Sequence, residues 1–189
     1  IGVRERLTPL AELVHEAASV EQLLSRAQIV QLKVLARAGE LAELQSADSP
    51  ARVQAHEMAL RSIAAELGGV LRVSDRTMQR RIAEARTIVD DYPGSLSAWE
   101  AGLITRGHVL VIVDAGADLP ADVRLAFEAV AVERCRHDTP HRVRAEVEIL
   151  AHQMHPRSFA ERHQNAAARR GVRLLPGRDG MSDLVATLP

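Results

Sequence analysis

The chain has 189 residues, 47% of them hydrophobic and only 2% aromatic, with 24 basic and 25 acidic side chains for a net charge of −1. That is enough for a sizeable core, and a core so poor in aromatics must be aliphatic, which suits helix packed on helix. These totals exclude a single-strand binder that stacks bases on rings, a membrane span, and an intrachain disulfide, since Cys135 is the single cysteine. A cytoplasmic location is expected, and because the first residue is Ile1 the chain is expected to be a fragment or a processed form.

Thr8 and Pro9 mark the start of a first helix, with Leu10, Leu13, Val14 and Ala17 as its apolar stripe and a break near Ser19. A long second helix follows, striped by Val20, Leu23, Leu24, Ala27, Val30, Val34, Ala38 and Leu41 and widened by Ile29, Leu32 and Leu44. Such a helix either pairs with a second copy of itself or lies along its own chain. The stripe is broader than a strict a/d seam, which favours the intramolecular contact and leaves a homodimer as the alternative. Ser46 to Pro50 is a loop, and Ser49-Pro50 begins a helix that runs through Val53, Met58, Leu60, Ile63 and Leu67 to Leu71.

The stretch from Glu66 to Ile82 reads as a helix-turn-helix, near 61–91 as a whole. Gly68 supplies a contact point without a Cβ, Val73 tucks inward, and Ser74 stands where an N-cap belongs. Arg72 occupies the turn position that glycine often fills. In the second helix Met78, Ile82, Ala85 and Val89 make the apolar stripe, while Arg76, Gln79, Arg80 and Ala83 share the opposite face. Five arginines against Asp75 and Glu84 give residues 72–86 a charge of +3. Arginine can fork onto guanine and glutamine onto adenine, and a helix N-terminus with Ser74 and Thr77 can hold a phosphate. The competing view is a plain helix pair with solvated arginines.

Beyond it, Asp90 to Gly94 stops the helix, a short helix from Ser95 to Gly102 places Trp99 in the core, and Thr105 caps a helix of Val109, Leu110, Ile112 and Val113. Further helices run from Pro120 to Arg136, Thr139 to His155 and Pro156 to Arg169. The basic residues of 133–173 form a second positive stretch, separated from the first by an acidic one. Val172 to Leu175 and Ser182 to Leu188 flank Pro176-Gly177-Arg178-Asp179-Gly180, a β-hairpin signature. A two-stranded ribbon is marginal in water, so it is expected to pack on the helices or to continue into a larger sheet.

Chemistry-bearing clusters are thin. Cys135, His137 and His141 fall short of the three or four convergent ligands of a transition-metal site, with Thr139-Pro140 interrupting the histidine pair; His152 and His155 fall short in the same way. No nucleophile elbow, phosphate loop or dinucleotide fingerprint is present.

With these residues in view, the chain resembles the helical domain of unknown function found upstream of HNH nuclease modules in actinobacterial proteins, including the thirteen-E-twelve repeat proteins of mycobacteria. The resemblance rests on Glu66-Leu67-Gly68 through Arg80-Arg81-Ile82 with Ala85-Arg86, on Ala98 to Ile104 followed by Gly107-His108, on Thr139-Pro140, and on Gly180 to Leu184. It implies association with a C-terminal HNH module and contact with double-stranded DNA. In that family the module, with its paired histidines, asparagine and divalent metal, follows the hairpin, whereas this sequence ends at Pro189. His163-Gln164-Asn165 is the nearest imitation and lacks a partner histidine pair.

The expectation is therefore an all-α multi-helix bundle containing a helix-turn-helix over residues 1–170, with a short β-hairpin over 171–189. It binds and positions DNA and is non-catalytic by itself. Arg76, Gln79 and Arg80 would face the major groove while Arg72, Ser74 and Thr77 hold phosphate. No cofactor, metal site or membrane contact is assigned to this chain. The alternative is a helical scaffold for self-association or for docking the nuclease module, without DNA contact.

Overall fold

The structure, a computed structural model, describes residues 4–156, 167, 170–177, 179 and 181–188, with side chains from Pro9 onward. It is all-helical but for a terminal hairpin: α1 (Arg4–Ser46), α2 (Arg52–Leu71), α3 (Asp75–Asp91), α4 (Pro93–Glu100), α5 (Arg106–Gly116), α6 (Ala121–Cys135), α7 (Pro140–Met154), then β1 (Gly171–Pro176) and β2 (Ser182–Thr187). Residues 1–151 form one compact unit and 152–189 a second. The helix expected over Pro156–Arg169, and His163-Gln164-Asn165 within it, lie outside the described residues.

Two expectations about the first 46 residues are corrected. There is one helix, α1, where two were expected. Ser19 does not break it, because its hydroxyl turns back and donates to the carbonyl of His15 at 2.9 Å, one helical turn earlier. Pro9 lies inside the helix instead of starting it, where its missing N–H deprives only one carbonyl of a partner. The second correction concerns the buried face. Ile29, Leu32, Leu35, Ala36 and Ala42 are buried, whereas Val20, Leu23, Leu24, Val30, Val34 and Leu41 of the expected stripe are exposed.

The reason lies in α3. α1, α2 and α3 pack on one another, and α3 comes close at Gly39, where a Cβ would come within 2.8 Å of Arg86 Cγ and 3.2 Å of Ile82 Cγ2. Only the face of α1 that carries Gly39 lets α3 this near. Arg86 then crosses α1 and bonds Glu43 at 3.3 Å while its Nε donates to Asp90 at 2.8 Å. Lys33 pairs with Glu100 and ties α1 to α4.

The rest of the first unit is built around Tyr92, Trp99, Ile112 and Phe127, all buried. Proline at the first position of α4 starts that helix two residues earlier than expected. Its end is a Schellman turn: Leu103 N–H reaches Ala98 O at 2.9 Å and Gly102 N–H reaches Trp99 O at 3.0 Å, with Gly102 at φ +71°. Gly116 is equally constrained, since a Cβ there would lie 2.6 Å from the Tyr92 hydroxyl and 2.9 Å from the Phe127 ring. In the second unit β1 and β2 pair antiparallel with Leu174 opposite Leu184, and Asp179 in the connection adopts φ 56°. The side chains of both strands are exposed, apart from half-buried Gly171.

Two buried acids of the core predict its pH response. Burial pushes the Tyr92 phenol up to about 12, partly offset by the nearby Arg124 guanidinium, and pushes the Cys135 thiol up to about 11. Their ordinary values are 10.0 and 9.0, so on raising the pH the unfolded chain releases these protons first. Their contribution to stability is therefore intact below about pH 9 and is lost progressively as the pH climbs toward the folded values. Thermal denaturation is expected to give a lower midpoint at about pH 10.5 than at about pH 8, with part of the difference removed in Cys135→Ala. An unchanged midpoint would show that neither group is buried in its neutral form.

Candidate nucleic-acid interface

The turn between α2 and α3 is made by Arg72, Val73 and Ser74. Gly68 O accepts from the N–H groups of both Arg72 and Val73, the latter at 3.0 Å, and this double acceptance ends α2. The chain can reverse there because Arg72 adopts the left-handed conformation, φ 54° and ψ 43°. An arginine at this position carries a strain that glycine would not. Gly68 is needed for a different reason from the one expected. Its absent Cβ would stand 2.8 Å from the Val73 carbonyl oxygen, so the crowding arises within the turn itself.

Ser74 then opens α3 as its N-cap, its Oγ accepting from Thr77 N–H at 3.3 Å and lying 2.9 Å from Thr77 Oγ1. One hydroxyl hydrogen of this pair is spent on the mutual bond, which leaves the other available to an anion. Asp75 already places a carboxylate in the first turn, where it complements the positive end of the helix and opposes a second anion.

Along α3, Met78, Ile82, Ala85 and Ile88 are buried. Val89, expected at the last of these places, is half-buried. The C-terminal turn of α3 runs into α4, and the buried arc widens there to take in Ile88. The opposite face comes out as the spacing predicts: Arg76, Arg80 and Ala83 are exposed and Gln79 is half-buried. Arg72 and Ser74 are exposed beside them and Thr77 is half-buried. The six expected site residues therefore lie on the turn and the first two turns of one helix.

Several of the other arginines are closed by carboxylates. Arg86 is tied to Glu43 and Asp90, Arg106 to Glu84 at 2.8 Å, and Arg124 to Asp91 at 2.5 Å. In the second basic stretch Arg136 pairs with Glu133 at 2.8 Å, Arg142 with Asp138 at 3.4 Å and Arg144 with Asp114 at 3.6 Å. That stretch is thus partly neutralised where it stands. Among the described residues, Arg72, Arg76 and Arg80 have no acidic partner, a state they share with Arg81 on the same helix and with Arg26, Arg37, Arg52 and Arg134 elsewhere.

The other clusters do not converge. Cys135 is buried in the core while His141 is exposed and His137 reaches only Glu133, at 3.5 Å. Among the described residues no group of three His, Cys, Asp or Glu could hold a metal ion, and no helix is long and apolar enough to cross a membrane.

Two residues with defined roles escaped the sequence reading. His108 Nδ1 accepts from Thr105 N–H at 3.0 Å, closing a capping box at the start of α5, and its Nε2 donates to the Asp138 carbonyl at 2.8 Å. Gly107 beside it leaves room for Pro140, whose Cγ would lie 2.9 Å from a Cβ. Two pieces of the family pattern that lie far apart in sequence, Gly107-His108 and Thr139-Pro140, are therefore one contact. The spacing Thr105-x-x-His108 was the available signal, obscured because glutamate or glutamine is the usual third residue. Glu128 had no signal: buried in α6, it accepts from Ser95 N–H at 2.6 Å near the start of α4, with Gly94 leaving space for its carboxylate.

Fold and surface together define an all-helical domain with a basic-faced helix behind a tight turn and a β-hairpin at its end. A family model described as a domain of unknown function (DUF222) matches residues 13–189, and the chain belongs to that family. No curated protein and no solved structure matches it.

The turn predicts two substitutions of opposite sign. Gly68→Ala gains about 1 kcal/mol of helix propensity, yet the collision with the Val73 carbonyl outweighs it, and a net loss of about 1–2 kcal/mol is expected in urea denaturation. Arg72→Gly relieves the left-handed residue and is expected to stabilise by up to about 1 kcal/mol. A stabilised Gly68→Ala or a destabilised Arg72→Gly would contradict this turn geometry.

Proposed function

We propose that this domain binds double-stranded DNA through the outer face of α3 and positions an HNH nuclease module without cleaving DNA itself. The observation that carries the reading is the grouping of Arg72, Arg76 and Arg80, exposed and without an acidic partner among the described residues, on the turn and outward face of one helix. A guanidinium without a carboxylate partner keeps its donors for a ligand. In this reading Arg76, Gln79 and Arg80 meet base edges in the major groove, arginine on guanine O6 and N7 and glutamine on adenine N6 and N7. Arg72, Ser74 and Thr77 hold a phosphate at the start of α3 and set the register.

Support for the nuclease partner is the resemblance in sequence, in which the HNH module follows the hairpin and brings its own divalent metal. The second reading, a scaffold that self-associates or docks that module without touching DNA, is favoured by a separate observation, the exposed apolar face of α1.

Duplex-DNA binding measured across a salt series, beside Arg76→Ala/Arg80→Ala, separates the two. Affinity is expected to fall linearly on a log–log plot with salt, and the double variant to bind about tenfold or more weakly with a slope shallower by about 1–2. No binding at low salt, or a variant that binds like the parent chain, would leave the scaffold reading.

A further inference from the structure

The long helix α1 has two apolar faces, and its own chain buries only one of them. Away from the buried face, Leu10, Leu13, Ala17, Val20 and Leu24 recur in steps of three and four, and Ala27, Val34, Ala38 and Leu41 continue the same row. These are the a and d positions of a heptad repeat that runs from residue 10 to residue 41, interrupted only by Gln31. Leu13 is 62% exposed, Val20 55% and Leu24 51%. Residues 9 to 24 are all exposed and Ser25 is the first half-buried one, so the first half of α1 is a helical arm without tertiary support among the described residues. Helices in water are held mainly by the packing of such a face, which makes the bare row a surface in want of a partner.

The second half of the row has a shaped neighbour. Val34, Leu41 and Leu44 form one wall of an open groove of about 720 Å³ whose other wall is Ile63 and Leu67 of α2, with Arg37 also lining it.

We infer that a second copy of this chain fills this groove by antiparallel pairing of the two α1 helices, the arm of each lying over the grooved half of the other. An antiparallel pair sets a against d. Leu13 then faces Ala38 of the second copy, Ala17 faces Val34 and Leu24 faces Ala27, large against small, while Leu10 meets Leu41 and Val20 meets Gln31. Charge selects the direction. Glu16 and Arg37 both occupy g positions, face each other across the antiparallel seam twice by symmetry, and have no ion-pair partner among the described residues. A parallel pair would stack Gln31 on Gln31 but set Glu16 against Glu21 of the other copy. The inference uses no residue of the DNA-contacting face and stands apart from that reading.

Sedimentation equilibrium of the full chain tests it. A dimer at micromolar concentration is expected, converted to monomer by Leu13→Glu/Val20→Glu, two positions too exposed to disturb the packed helices. Glu16→Arg is expected to weaken the dimer about fivefold or more, and Glu16→Arg/Arg37→Glu to restore it. A monomeric parent chain, or a dimer indifferent to Leu13→Glu/Val20→Glu, would overturn the inference. Tightening by Glu16→Arg alone would indicate a parallel pair and overturn the antiparallel assignment.

Discussion

The packing of α3 against α1 at Gly39 shapes how the first unit presents itself. With no Cβ on Gly39, Arg86 can lie across α1 and Ile82 can reach the same spot. Arg86 is then held by Glu43 on one helix and Asp90 on the other, three-quarters shielded from solvent. Because α3 is anchored through the side that carries Ile82 and Arg86, Arg76 and Arg80 are turned outward. The same contact chooses which face of α1 is buried, and it leaves the heptad row bare.

Charge is arranged in the same spirit. Most of the arginines around α3, α5, α6 and the start of α7 find a carboxylate within the chain, several of them across helix boundaries, as Arg106 does with Glu84 and Arg124 with Asp91. Exposed pairs of this kind add little stability each. Their larger consequence is electrostatic: they close Arg86, Arg106 and Arg124 around α3 while Arg72, Arg76, Arg80 and Arg81 stay without a carboxylate. A net charge of −1 is therefore compatible with a local surface suited to an anion. Asp75 limits how close a phosphate can come to the helix end, so Arg72 and the Ser74–Thr77 hydroxyl pair would have to share its approach.

What could be read from the sequence was what local chemistry determines. Ser74 as a cap, Met78 and Ile82 as anchors, Thr105 before α5 and the Asp179 turn all depend on neighbours within a few residues, and each is found where the spacing puts it. The failures share a different cause. Ser19 resembles a helix break, but the choice between capping and back-bonding belongs to the helix around it. α1 offered two apolar faces, and the stronger row was not the buried one, because Gly39 and Arg86 decide the matter from residues 47 positions apart. His108 and Glu128 matter only through Asp138, Pro140 and Ser95, which the fold alone brings to them. For the candidate site, the helix, its cap and its outward face were legible, while the absence of acidic partners needed the packed structure.

The central claim is that the outer face of α3 touches DNA, and an amide-resolved NMR titration of the chain with a short duplex addresses it most directly. The account predicts that the largest shift changes fall on residues 72–83, with those of the buried side of α1 and of α5 and α6 left in place. Changes centred on another helix, or spread without focus while α3 stays silent, would contradict it.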